Sequence, residues 1–287
     1  MKQENFIIFL HIQKTGGMSL QRILRRRYGK SFIQRLFQYL RGKSGSSRSL
    51  KQAMEDTSPE DRYFAGHICF GAHRYLPQPS IYISLFREPV SRLVSLWEFS
   101  RSNPLAYYYS QAHTASLEEF LLETKLMELD NGMTRFIAGD ENDLFINRTA
   151  IGECDEKLLD KAIYNLDNWF AVTGLVEKFD ETVLLLGKVL GWRNSFYLPR
   201  NRGKDRKKPD IGSGLVEKIK ARNYLDVRLY EYIQKRFYND LERYGISEDT
   251  VNQFRKKNEL YSQTVLPVYE VYDSMKALIK GEWNRPR

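Results

Sequence analysis

The chain alternates between short apolar runs of strand length and longer stretches whose apolar positions recur every three or four residues. Asn5 to His11 is a continuous apolar run, the pattern of a parallel strand covered on both faces. It ends in Gln13-Lys14-Thr15-Gly16-Gly17, and from Met18 the period changes. Leu20, Ile23, Leu24 and Tyr28 fall on one side of a predicted helix, with Arg22, Arg25 and Arg26 on the other. A second amphipathic stretch, Phe32 to Leu40, leads into the flexible-looking loop Gly42 to Ser47. Ser80 to Phe86 is a second predicted strand, and Pro89 suits the first turn of the helix that follows it. Ser116 and Glu119 form a capping-box pattern that predicts a helix through Leu126. Glu156 to Leu166 reads as a helix, Trp169 to Leu175 as a third strand, Asp180 to Leu190 as a helix and Leu215 to Phe237 as mostly helical. Strands that alternate with helices, at separations longer than a hairpin, predict an α/β fold with a parallel sheet.

Charge adds a location to this pattern. The 287 residues carry 45 Lys+Arg and 36 Asp+Glu, a formal net charge of +9. Residues 1–54 hold 12 of the basic residues against the single acid Glu4, a local balance of +11, while the other 233 residues hold 33 basic and 35 acidic groups. Such a concentrated field implies an anionic partner, whether nucleic acid, membrane phosphate, a phosphorylated cofactor or an acidic polymer; a solvated basic face is the plain alternative. No run approaches the ~20 apolar residues of a membrane span. Cys69 and Cys154 allow at most one disulfide and no zinc site, and such sparse cysteine use fits a reducing compartment.

The turn after the first strand carries the strongest chemistry. A strand that stops at glycines and enters a helix aims backbone N–H groups and the positive end of the helix dipole at one point, which makes an anion site. Lys14 adds a mobile charge, and Thr15 and Ser19 add hydroxyls. A plain tight turn needs glycine but has no use for the lysine and both hydroxyls. The nucleotide-triphosphate loop is a different pattern, since here the lysine precedes the glycines.

His11-Ile12-Gln13-Lys14-Thr15-Gly16-Gly17-Met18-Ser19-Leu20 resembles the 5′-phosphosulfate loop of sulfotransferases that use 3′-phosphoadenosine 5′-phosphosulfate (PAPS), most closely the heparan sulfate O-sulfotransferases of the 6-O and 2-O types. Phe86-Arg87-Glu88-Pro89-Val90-Ser91-Arg92-Leu93-Val94-Ser95-Leu96-Trp97 is similar to that family's 3′-phosphate segment, which implies Arg87 and Ser95 as the phosphate grip. Asn223 to Tyr232 resembles a late helix of the 6-O-sulfotransferases, and Asn131 to Arg135 is similar to another family segment. Arg202-Gly203-Lys204 falls where the family has a loop closing over the nucleotide. The resemblance spans roughly residues 5–240. It implies a single P-loop-like α/β domain over residues 1–245, with a central parallel sheet flanked by helices, followed by a helical extension over residues 246–287 that matches nothing named.

Implied with the resemblance are PAPS as donor and 3′-phosphoadenosine 5′-phosphate (PAP) as product. Lys14, Thr15, Gly16, Gly17, Met18, Ser19, Arg87, Ser95, Arg202, Gly203 and Lys204 are the implied donor site, with no metal. Sulfuryl transfer needs in-line placement, a base for the acceptor hydroxyl and positive charge at the leaving phosphate, the last a task for Lys14. For the base, Ala65-Gly66-His67-Ile68-Cys69-Phe70 resembles the family's Gly-His-x-x-Phe segment, which implies His67, with His73 as the fallback. Three departures stand out: Glu88 where aspartate is usual, Met18 where threonine is usual, and Phe99 where the 6-O-sulfotransferases carry a histidine facing the acceptor. The acceptor is expected to be a glycan or a small hydroxyl-bearing molecule. The start from Met1 into a strand leads us to expect a soluble, bacterial-like, cytoplasmic enzyme, in which the Asn147-Arg148-Thr149 sequon has no meaning. Two other readings compete: a P-loop-type kinase, which needs a metal and an aspartate at a neighbouring strand end, and a basic nucleic-acid-binding module built on the first fifth of the chain. Arg22, Arg25, Arg26, Arg27, Arg35 and Arg41 are candidates to hold an acidic glycan.

Overall fold

The computed structural model describes residues 5–29, 47–58, 60–198 and 211–279. The second amphipathic stretch, most of the loop after it and the basic loop with Arg202, Gly203 and Lys204 lie outside these residues.

Four strands form one parallel sheet in the order β2-β1-β3-β4, where β1 is Phe6–Leu10, β2 Tyr63–Gly66, β3 Ser80–Phe86 and β4 Phe170–Leu175. All five residues of β1 are buried, as expected of a strand with a neighbour on each side and helices on each face. Leu10 pairs with Gly66 of β2 and Ser84 of β3, so the carboxyl ends of three adjacent strands lie at nearly one level. The Ser84 hydroxyl donates to the Leu10 carbonyl at 2.7 Å and ties that edge together. From β1 the chain first goes to one side of the sheet and then returns to the other, so the crevice between β1 and β3 is the switch point at which α/β sheets bind ligands.

The helices are α1 Gly17–Tyr28, α2 Ser47–Glu55, α3 Pro89–Ser102, α4 Tyr109–Ala112, α5 Gly132–Ala138, α6 Glu156–Trp169, α7 Phe179–Val189, α8 Ser213–Arg222, α9 Tyr224–Arg243 and α10 Glu248–Ile279. On α1 the buried face is Gly17, Leu20, Ile23 and Leu24, the stripe read from the sequence. The predicted helix over Leu215 to Phe237 divides at Asn223. The capping box forms, with Glu119 N–H donating to Ser116 Oγ at 3.2 Å and Ser116 N–H to Glu119 Oε2 at 2.7 Å. It opens only a single wide turn over Glu119–Glu123, not a helix through Leu126. The carbonyls of Leu122 and Thr124 instead accept from the Arg222 guanidinium, which takes the place of the next helical turn.

Two segments that carried weak resemblance turn out to hold the frame. Asn131 sits at φ 54°, in the left-handed region, at the N-terminus of α5. Its N–H donates to Asn223 Oδ1 at 2.9 Å, and its own Oδ1 accepts from Leu225 N–H at 3.0 Å. Asp226 of α9 accepts from Met133 N–H at 3.0 Å and from the N–H and hydroxyl of Thr134, each at 2.8 Å. The two helices cap each other between partners 92 and 93 positions apart, satisfying donors that a helix start leaves open. The buried Arg92 guanidinium of α3 lies 3.7 Å from Asp226 and donates to the Glu128 carbonyl at 3.0 Å. Burial pushes the Asp226 carboxyl up, while Arg92 and the capping donors pull it down.

Two arginines of the cluster make contacts at the surface: Arg26 donates to the Tyr261 hydroxyl at 2.9 Å and to the Phe196 carbonyl, and Arg27 donates to the Asn194 carbonyl and lies over the Trp192 ring at 4.8 Å. Both remain solvent-exposed while making these contacts. Arg35 and Arg41 lie outside the described residues. The first half of α10 packs on the same body, with Val251 and Phe254 buried in the main core and Asn258 Oδ1 accepting from Tyr197 N–H at 2.7 Å. Cys69 and Cys154 are free thiols, both pushed up to about 12 by burial. The sequon Asn147 is buried and donates to the Gly139 carbonyl at 2.7 Å, so the folded chain does not present it for modification. No helix among the described residues is long and apolar enough to cross a membrane.

Candidate functional site

Three loops leave the same edge of the sheet: after β1 with Lys14, after β2 with His67, and after β3 with Arg87. The first is shaped by two residues with positive φ, Lys14 at 65° and Gly16 at 73°. Gly16 is required twice, by its φ and because a Cβ there would lie 2.9 Å from Val176 Cγ2. A Cβ on Gly17 would lie 2.0 Å from His11 Nε2, so only glycine fits against the His11 ring at the start of α1. Met18 is exposed and Ser19 half-buried, its N–H donating to the Gly16 carbonyl at 3.1 Å. Thr15 is buried with its hydroxyl donating to the Ile12 carbonyl at 2.8 Å, so that hydroxyl closes the turn and does not face a ligand.

Arg87 and the lysine loop meet across the switch point, with Arg87 Nη1 donating to the Lys14 carbonyl at 3.3 Å. Glu88, the departure from aspartate, caps α3 by accepting from Val90 N–H at 3.0 Å and Ser91 N–H at 2.7 Å. The start of α3 is thus already met by a carboxylate, and an anion beside it must rely on Arg87 and on side-chain hydroxyls. Ser95 stands in the second turn of α3, half-buried on the face it shares with Ser91. One turn further on, Phe99 is 42% exposed and its ring carries the Lys14 ammonium at 4.1 Å. The sequence singled out Phe99 as a departure; only the fold shows it touching Lys14, an ordinary cation–π contact.

His67 follows β2 directly. Its accessible area is that of an exposed residue, yet its ring sits against His11, 4.3 Å between centroids, and this crowding lowers its pKa by desolvating the charged form. Its Nδ1 is 2.6 Å from the His11 carbonyl. The carbonyl only accepts, so Nδ1 carries the proton and Nε2 keeps a lone pair for an incoming proton. His73 lies elsewhere. It stacks on Trp169 at 4.0 Å, shares a 3.0 Å hydrogen bond with the Tyr82 hydroxyl, and burial lowers its pKa to about 4. With Phe70 and Arg74 it lines a cavity of about 200 Å³ to which no residue of the lysine loop contributes. The structure thus brings Arg87 of the β3 end onto the lysine loop, sets Phe99 under the Lys14 ammonium and holds His67 against His11 at the end of β2, while His73 lines a separate cavity.

The donor set suits a doubly anionic ligand: an open helix start with Lys14 at one end, Arg87 and a serine hydroxyl at the other. Fold and site together define an α/β protein in which two cationic loops, bearing Lys14 and Arg87, meet at the β1/β3 switch point. The chain belongs to the galactose-3-O-sulfotransferase family, whose model matches residues 2–268. Among its relatives, galactose-3-O-sulfotransferase 3 of Homo sapiens is 24% identical over an alignment of 264 residues, covering 83% of this chain and 58% of the relative. Heparan-sulfate 6-O-sulfotransferase 3 of Mus musculus is 26% identical over 288 aligned residues, with the same coverage of 83% and 58%. Galactosylceramide sulfotransferase of Mus musculus is 31% identical over 101 residues, 34% of this chain and 24% of that protein. The chain thus spans 58% of the length of the full-range relatives.

Proposed function

We propose that this protein transfers a sulfuryl group from PAPS to a hydroxyl of a carbohydrate acceptor by in-line displacement. The observation that carries this reading is the meeting of the lysine loop and Arg87 across the crevice, with Arg87 Nη1 3.3 Å from the Lys14 carbonyl and His67 at the end of the next strand. The donor, when bound, supplies a sulfuryl group whose bond to phosphate oxygen breaks as the bond to the acceptor oxygen forms, leaving PAP.

The residues of this chain divide the remaining work. Backbone N–H groups at the start of α1 and the Lys14 ammonium hold the 5′ end and stabilise charge on the leaving phosphate. Arg87 and Ser95 hold the 3′-phosphate. His67 Nε2 takes the acceptor proton. The lowered pKa keeps that nitrogen unprotonated near neutral pH, the state a base needs. Galactose, galactosylceramide and heparan sulfate in the names of the family and its relatives support a sugar acceptor.

PAP binding tests the donor site without turnover. Arg87→Ala removes a charge-assisted bond of about 1.5–3 kcal/mol, so calorimetry should show PAP binding weakened roughly 10- to 100-fold. An unchanged affinity contradicts the assignment of the 3′-phosphate to Arg87.

A further inference from the structure

His11 is buried at the end of the β1 run, 6% exposed, and held on every side. Its Nε2 edge occupies the space that a Cβ on Gly17 would enter. The Gln21 amide nitrogen of α1 lies 3.4 Å from its Nδ1, and its ring stacks on Phe9 at 5.2 Å. An amide nitrogen only donates, so His11 Nδ1 is the acceptor and its proton sits on Nε2. The remaining side of the ring meets His67 at 4.3 Å, and the backbone carbonyl of the same residue accepts from His67 Nδ1 at 2.6 Å. One residue therefore touches the first turn of α1 and the base at once.

We infer that His11 is a positioning residue for the base: its carbonyl selects the His67 tautomer with a free Nε2, and its ring, wedged between Gly17 and His67, sets the plane of that imidazole and couples it to the start of α1. The inference rests on His67 being the base. Neither the family match nor the motif assigns the His11 side chain a task. Its chemistry suits one, because a neutral flat ring fills the gap without adding charge beside a group that must stay unprotonated. Burial, His67 and Lys14 all lower the pKa of His11, and burial lowers that of His67. The titratable groups facing the pair are these two histidines themselves and Lys14 from the loop; Gln21 from α1 is neutral.

The test compares wild type with His11→Ala and His11→Phe, first by histidine NMR titration of the free protein and then by turnover with PAPS and a galactoside. In the wild type, His67 is expected in the Nδ1–H tautomer with a midpoint below 6.5. His11→Ala opens a gap that water enters, so the His67 midpoint should rise toward 6.5 and the acid limb of kcat should rise with it. Misplacement of the base should lower kcat about 10- to 100-fold, with PAP affinity held within about threefold. His11→Phe restores a flat ring and should recover most of kcat and the depressed midpoint; it also carries the reading if His11→Ala fails to fold. The tautomer, set by the backbone carbonyl of residue 11, should persist in both variants; a His67 midpoint in His11→Ala identical to wild type overturns the inference, whatever happens to kcat, because packing alone then explains the side chain. Retention of transfer by His67→Ala is a separate failure: it removes the base reading and this inference with it.

Discussion

Asp226→Ala is expected to cost the protein about 3–5 kcal/mol, the cost of leaving a buried charge without its partner. The change strands the fully buried Arg92 guanidinium and leaves the Met133 and Thr134 N–H groups at the start of α5 without their acceptor. Domains are stable by only about 5–15 kcal/mol, so this one substitution should remove a large share of the total. Urea unfolding should show a midpoint far below that of the wild type. Asp226→Asn, which keeps an acceptor oxygen but loses the charge, should fall between the two and serves if the alanine variant is insoluble. A loss under about 1 kcal/mol for Asp226→Ala would mean that the mutual capping of α5 and α9 is not what holds them.

The second large effect concerns chemistry and should leave the fold alone. His67→Ala removes the proposed proton acceptor, for which general-base contributions of about 10²–10⁴ are usual, so transfer should fall by that factor. The side chain sits at the flank of the crevice against His11, and the lysine loop and Arg87 make their contact without it. PAP affinity should therefore stay within about threefold. Lost PAP binding would reassign His67 to the nucleotide wall, and retained transfer would place the base elsewhere.

Much of the frame was legible because burial on both faces leaves a plain trace. Phe6–Leu10 is a continuous apolar run and Ser80–Phe86 an apolar run broken only at Ser84 after its first residue, and the sequence marks them within a residue or two of their ends. β2 left no such trace: Tyr63–Gly66 is four residues long and ends in glycine, too short for a periodicity to register. Yet that strand is what sets His67 against His11 at the end of β1. The site was legible as residue types at fixed offsets, whereas hydrogen-bond direction was not. Thr15 reads as a ligand hydroxyl but turns inward to Ile12, and Glu88 reads as a mere departure but caps α3. Arg92 lies inside the phosphate-like segment and serves Asp226, a partner 134 positions away that no local pattern announces. Asn131-Gly132 did carry a signal, since Asn-Gly favours left-handed backbone, and φ 54° at Asn131 is what starts α5. Arg26 and Arg27 are surface residues, as the pattern on α1 implies, but sequence gives no hint of their contacts with the carbonyls of Phe196 and Asn194.

The most direct test of the central claim is transfer of label from ³⁵S-PAPS to a panel of galactosides, heparan-type oligosaccharides, simple alcohols and phenols, with and without a metal chelator. The account predicts a labelled sugar and stoichiometric PAP, unaffected by chelation and lost in Lys14→Ala and His67→Ala. Label on no acceptor together with no binding of PAP, or phosphoryl transfer from ATP abolished by chelation, would contradict it.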